Sequence, residues 1–405
     1  MIWSIAWRNI WRNKLRSIIV LAAITIGLFA GVFSTGFYKG MADMRVESGI
    51  KTEVSHIQIH ETDYTLNNEI KLFMPKTNEM VDNINTFAGV EGASRRIKAE
   101  CFFKTAHGTR GVKIIGVEPD REKKVTDIYE FITEGDYLDG DHRIPRILVG
   151  QSLGDKLKLK IGSKIPVDLV DIHGNFSSRL YKVGGFFKTT NTGFDERNVF
   201  VTFDDLKKQL DLPDDAAHEI AIYLNKNTEL DTTYHKIEKA YPNLDVQTWR
   251  DISKELALVN DSMDEYMYIF VIIIMLALCF GIINTMLMVV MERTKELGML
   301  MAIGMHRIRV FFMIILESVF LSLSGGIMGI AIGYAVIRYF EKTPIKLTIF
   351  QGFEQYGYAS EVYTNLPFST LISMAVLVFV LGIISAIYPA WKAIRLNASD
   401  AIRTD

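Results

Sequence analysis

Residues 292–310 read ERTKELGMLMAIGMHRIRV, and they stand between two long apolar runs. Upstream is MYIFVIIIMLALCFGIINTMLMVVM and downstream FFMIILESVFLSLSGGIMGIAIGYAV. A stretch of about 20 apolar residues is long enough to cross a bilayer. The segment between the two runs is too long for a tight turn, opens with Glu292, Arg293, Lys295 and Glu296, and then turns apolar again. Read as a helix over 292–304, it has acids at its start, His306, Arg307 and Arg309 beyond its end, and Gly304 as its stop. That arrangement complements the helix dipole and supplies a residue suited to a left-handed C-terminal turn. Leu297, Leu300, Met301 and Ile303 would give it an apolar contact surface. Such a helix pinned between two spans is either a rigid lever or a helix lying on lipid.

Working outward, the same length rule marks four spans: about 18–37, 266–291, 310–334 and 367–391. The third alone contains an acid, Glu317, and an ionisable residue inside a span is a functional hypothesis by default. No further acid or histidine lies deeper, so the expectation is a structural partnership with a helix end or with Arg307 rather than a proton relay. Gly325, Gly329 and Gly333 recur at spacing four, and Gly27 and Gly31 repeat the theme in the first span. Small residues on one helix face let a neighbouring helix approach closely.

Basic residues cluster in the leader (Arg8, Arg12, Lys14, Arg16), in 292–309 and in the tail (Lys392, Arg395, Arg403). The 340–366 loop holds only Lys342 and Lys346. Basic flanks remain cytoplasmic, which predicts both termini inside. The first apolar run is too long for a cleaved signal peptide and lacks a small-residue cleavage site, so it reads as an anchor. Before it, Trp3, Trp7, Ile10 and Trp11 share helical spacing beside an arginine stripe, which suits an interfacial helix over 1–17.

The chain is 49% hydrophobic with a net charge of -2, which fits a few spans joined to a large water-exposed domain and offers nothing to nucleic acid. Cys101 and Cys279 fall in such different contexts that a disulfide between them is not expected. Residues 41–262 contain no span. SHIQIHE (55–61), VKIIGVEP (112–119) and RLYKVGGFF (179–187) alternate as strands, whereas FDDLKKQLDL (203–212) and DTTYHKIEKAYP (231–242) read as short helices. The fold class is therefore an α-helical membrane protein with four transmembrane helices and a large α+β extracytoplasmic domain between the first two, with room for two subdomains. His56 and His60 share a strand face but lack further metal ligands, and a half-exposed strand face accounts for their spacing. Asp171 and His173 flank a hairpin turn at HGN (173–175) without a nucleophile nearby. GTRGVK (108–113) and GQSLGDK (150–156) have the wrong spacing for a phosphate loop.

Two stretches, NTMLMVVMERTKELGMLMAIGMHRIRV (284–310) and IYPAWKAIRLNASDAIR (387–403), resemble the FtsX-type permease domain of the MacB and LolC/LolE transporters. Glu292, Arg293, Glu296, Gly298 and Gly304 match that family's motif, and Tyr388, Pro389 and Ala390 match the end of its last span. Ala398 departs from it where the family usually has proline. In the outer domain, residues 114–138, 147–167 and 183–206 resemble LolC/LolE more than MacB. The resemblance implies a permease domain over 263–405, an anchor span over 18–40, and a coupling helix over 292–304 seated in an ATPase, with Glu292, Arg293, Thr294, Lys295, Glu296, Gly298, Met301 and Gly304 as its coupling residues. No cofactor is implied in this chain; ATP and magnesium would belong to two partner ATPase subunits. Further implied partners are a second permease copy or a sister permease, a periplasmic lipoprotein carrier and membrane lipid, in a bacterial inner membrane. The implied task is ATP-driven extraction of lipoproteins, with a MacB-like exporter of peptides or drugs and an FtsX-like regulator of an envelope hydrolase as alternatives. For acyl chains, Phe33, Phe37, Tyr38 and Met41 of the first span and Tyr266, Met267 and Phe270 of the second would line an apolar cavity, or else form an aromatic belt facing lipid.

Overall fold

The computed structural model describes residues 2–105, 108–138, 142–226, 229–347 and 357–395. They form two units. One combines 1–42, 262–345 and 362–405; the other combines 43–261 and 346–361.

Among the described residues, four helices are long and apolar enough to cross a membrane. The N-terminal helix Ile2–Arg12 stops at Asn13, and the first long helix, Lys14–Gly49, begins one residue later. The break shortens the interfacial helix expected over 1–17. Trp3 and Trp7 of this helix meet Phe320 edge-on, each at 5.7 Å. The remaining long helices are Lys254–Glu292, Arg307–Phe340 and Phe368–Ile394, with the short helix Thr294–Ala302 between the second and third. The third span packs on the first through its glycines. A Cβ at Gly329 would lie 2.6 Å from the Thr25 carbonyl oxygen, and one at Gly333 would lie 2.8 Å from a Val32 methyl. Thr25 Oγ1 also donates to the Gly325 carbonyl at 3.1 Å. Gly382 of the fourth span meets Ser322 of the third in the same way. Gly27 faces Leu278 of the second span. Small residues thus set the helix spacing, as close packing within an apolar solvent requires.

The second unit is built on one ten-stranded sheet. Its strands are β1 (Ile57–His60), β2 (Val90–Thr105), β3 (Gly108–Val117), β4 (Ile132–Gly135), β5 (Arg146–Gly150), β6 (Lys164–Val170), β7 (Phe176–Phe187), β8 (Asn198–Thr202), β9 (Glu219–Leu224) and β10 (Asp245–Thr248). The order is β10-β1-β9-β2-β3-β8-β5-β7-β4, and β6 pairs with both β2 and β7. Two large apolar cores lie along it. One contains Ile57, Ile59, Ala93, Ile222 and Trp249; the other contains Ile97, Phe103, Ile147, Val167 and Val199. Long β2 passes through both, with Ala93 in the first and Ile97 to Phe103 in the second. The two subdomains allowed by the sequence are therefore joined by a single sheet.

His56 and His60 correct the half-exposed face expected of them. Both are buried, with His60 stacked on Tyr64 and Tyr64 on His218. Burial holds the His56 imidazole down at about 4, so it is neutral. Among the described residues no cluster of three metal-ligating side chains occurs. The hairpin at 171–175 forms as expected: Asp171 accepts from the backbone N–H groups of His173 and Asn175, and Gly174 takes φ +88. Cys101 is buried and Cys279 half-buried, each as a free thiol.

Candidate functional site

The site begins where the second span ends. Arg293 leaves helical geometry at φ -98 and ψ 16, so the short helix spans Thr294–Ala302 rather than the expected 292–304. Its C-terminus closes on Gly304 at φ +104, with Gly304 N donating to the Met301 carbonyl at 3.1 Å and Met305 N to the Leu300 carbonyl at 3.0 Å. This pair of bonds is the Schellman stop, which needs a left-handed residue where glycine stands.

Ionic contacts tie the segment to its neighbours. Arg293 Nη1 donates to both Glu317 oxygens at 3.0 and 3.1 Å, and its Nε to Glu296 at 3.2 Å. Asn9 Nδ2 donates to Glu317 at 2.6 Å. Arg12 pairs with Glu296 at 2.8 Å, and Arg16 pairs with Glu292. The Arg293–Glu317 pair is nearly sealed from solvent, at 13% and 4% side-chain exposure, whereas Arg12 and Glu296 remain open. Burial pulls the Glu296 carboxyl upward, but hydrogen bonds from Arg12 and Arg293 hold it below the usual range. A cavity of about 220 Å³ lies among Asn9, Arg12, Arg16, Glu292, Arg293 and Glu317.

Of the two partnerships expected for Glu317, a helix end or Arg307, the structure makes the first: its partner is Arg293, the residue that caps Thr294–Ala302. Arg307 opens the third span ten residues earlier, about 15 Å along the helix axis. The apolar face differs from the one expected. Leu297 and Gly298 are buried, while Leu300 and Met301 pack partly against the membrane core. Met299 and Ile303 carry the exposed surface, at 55% and 78%. Thr294 Oγ1 is turned back onto the Met291 carbonyl, and Lys295 is exposed. Asn9, Arg12 and Arg16 were not singled out as site residues, although the spacing of Arg12 and Arg16 mirrors that of Glu292 and Glu296.

The aromatic residues of the first two spans make ring contacts with one another and with the third span. Phe33 stacks between Phe29 and Phe37 at 6.1 and 6.3 Å and meets Phe340 edge-on. Phe37 touches Tyr38, and Tyr38 reaches Phe270 at 5.8 Å, which joins the two spans. Met41 is buried and Tyr266 is exposed. Met267 alone of the seven lines a cavity of about 290 Å³, together with Lys39, Tyr268, Val271, Leu366 and Met374. Lys39 and the fourth-span residues carried no signal in the sequence, because the cavity depends on which helices meet.

Four membrane-length helices, a short latched helix between two of them and a large α+β unit define the architecture of a multi-pass membrane protein. Residues 17–240 match the MacB-like periplasmic core domain, and residues 268–398 match the FtsX-like permease C-terminal domain. The chain belongs to the MacB/FtsX family of ABC transporter permeases. It is 22% identical over 281 residues to an uncharacterized ABC transporter permease of Methanocaldococcus jannaschii, covering 67% of this chain and 65% of that one. It is 35% identical over 123 residues to the macrolide export ATP-binding/permease protein MacB of Bdellovibrio bacteriovorus, covering 30% of this chain and 16% of that one. ABC transporter permease YtrF of Bacillus subtilis is 32% identical over 126 residues, 31% of this chain and 29% of its own. The chain thus spans less than two thirds of the length of these relatives. Among solved structures, the extracellular domain of the noncanonic ABC-type transporter YknZ from Gram-positive bacteria superposes with TM-score 0.34 at 11% identity, over 48% of this chain and 98% of that one. The periplasmic region of MacB from Actinobacillus actinomycetemcomitans gives 0.35 at 7%, over 50% of this chain and 91% of that one. At those scores the likeness adds nothing to the family assignment. Ala398 and Arg403 lie outside the described residues.

Proposed function

We propose that the chain is the membrane subunit of a MacB-type ABC transporter that takes ATP-driven motion from separate ATPase subunits and delivers it to its extracytoplasmic domain. The observation that carries this reading is the latched helix Thr294–Ala302. Arg293 binds it to Glu317 of the third span, and Arg12 binds it to the N-terminal helix. A push on such a helix is passed on rather than absorbed, because each contact ties it to a different element. In this reading Glu292, Arg293 and Glu296 transmit force inside the chain, and ATP and magnesium sit in the partner. Two permeases and two ATPases make the working unit, in a bacterial inner membrane with both termini cytoplasmic.

The cargo is a peptide or other apolar molecule taken from the outer side, as the name of the MacB relatives suggests for macrolides. A second reading, release of lipoproteins to a soluble carrier, is supported by the resemblance of 114–138, 147–167 and 183–206 to LolC/LolE and by the cavity beside Met267. Each acyl methylene kept from water there would be worth roughly 0.8 kcal/mol.

The test is to purify the chain alone and with its copurifying ATPase, carrying photo-crosslinkers at Phe33 and Met267. No ATP turnover by the chain alone, turnover with the partner, and capture of unlipidated peptide support the MacB-type reading. Capture of lipoprotein selects the second. Robust hydrolysis by the isolated chain overturns both.

A further inference from the structure

From the charges left over after the latch is made, we infer that the ATPase groove receiving Thr294–Ala302 is acidic around an apolar floor. This inference rests on the reading above. The motif presents two acids, Glu292 and Glu296, and both are held by arginines of the same chain, Arg16 and Arg12. Arg293 is likewise spent on Glu317 and Glu296. Lys295, Arg307 and Arg309 remain, all exposed and without an ion pair among the described residues. What the segment offers outward is therefore three cations and no free anion.

Position sharpens the point. Lys295, Met299 and Ile303 stand at spacing four, so they share one face of the helix. That face lies opposite buried Leu297. Arg307 and Arg309 follow three and five residues after the Gly304 stop, at the start of the third span, so in sequence cations stand on both sides of the exposed methionine and isoleucine. Lys295 also lies in the first turn of its helix, where the dipole disfavours a cation. A carboxylate on a partner relieves that conflict, whereas a basic groove would worsen it. Complementary potentials speed docking and reject wrong partners, so the preference should also select this ATPase among others.

The experiment places a benzophenone amino acid at Met299 or Ile303 of the full chain in cells and sequences the adducts. The expected adduct is a protein with a GxxxxGK[ST] phosphate loop, captured through a peptide rich in Asp and Glu. Its yield should fall about tenfold or more in the variant combining Lys295→Glu, Arg307→Glu and Arg309→Glu, because like charges would face each other. Changing the captured acids to lysine should restore it, which separates a charge effect from misfolding. Capture of such an ATPase through a neutral or basic peptide, or with a yield indifferent to the reversal, sinks the inference and leaves the transporter reading standing. Adducts to lipid alone, or to a protein without a phosphate loop, sink both.

Discussion

At the scale of single residues, Arg293 and Glu317 show how a motif residue can be recognisable while its work is not. The sequence marks Glu317, because an acid in an apolar run is conspicuous. Its partner lies 24 positions back across a helix break, and no periodicity connects the two. Breaking a buried ion pair by removing one member leaves an uncompensated charge, at a cost of about 3–5 kcal/mol. Arg293→Leu should therefore lower the thermal midpoint of the purified protein sharply. The double variant Arg293→Leu with Glu317→Leu should regain most of the loss, since two apolar side chains leave no stranded charge. Equal damage from the single and the double variant would mean that the pair is not what holds the segment.

Glycine spacing in the third span was readable at the scale of elements, because a stripe at every fourth position defines a face whatever lies against it. Which helix fills that face was not readable. The structure assigns it to the first span, with Gly325, Gly329 and Gly333 against Ile24, Thr25 and Val32. Gly281 in the second span looks similar in sequence, yet a Cβ there would meet nothing within 4 Å. The two glycines should respond in opposite directions. Gly329→Ala drives a methyl group into the Thr25 backbone and should cost roughly 1–3 kcal/mol through overpacking. Gly281→Ala should be neutral or stabilising by up to about 1 kcal/mol, as expected for a helix interior. Parallel thermal unfolding of the two variants in the same detergent decides the matter.

For the molecule as a whole, acidity should reach the sheet-bearing unit through Asp195. This carboxylate is buried and accepts from Thr189 N at 3.0 Å and Thr189 Oγ1 at 2.7 Å. The neighbouring loop meets the end of the first long helix and the wider helical turn Ile50–Val54 that follows it: Ser48 and Thr190 share a hydrogen bond of 2.6 Å, and Asn191 Nδ2 donates to Glu53 at 2.9 Å. Burial lifts Asp195 from an ordinary 3.8 to about 7, against the pull of the Thr189 bonds. Between those values the folded state carries a proton that the unfolded state has lost. Stability from this group is thus complete below about pH 4 and is lost as pH rises towards 7, by at most about 1.4 kcal/mol per pH unit. Protection of residues 188–200 against hydrogen exchange, relative to the intrinsic rate at each pH, should fall over that range in the native chain, and Asp195→Asn should flatten the trend. An unchanged slope in the variant would assign the effect to other groups. The contrast between local and distant information runs through the whole chain. Spans, strand segments, the HGN hairpin and the Gly304 stop were determined by the sequence alone, because bilayer length, alternation and backbone preference act over neighbouring residues. Only the tertiary structure decided that one sheet joins both cores, that the Met267 cavity borrows Leu366 and Met374, and that Arg12 and Arg16 occupy the acids of the short helix. Those are pairings between positions up to 284 residues apart, and they depend on chain topology and excluded volume rather than on any local pattern.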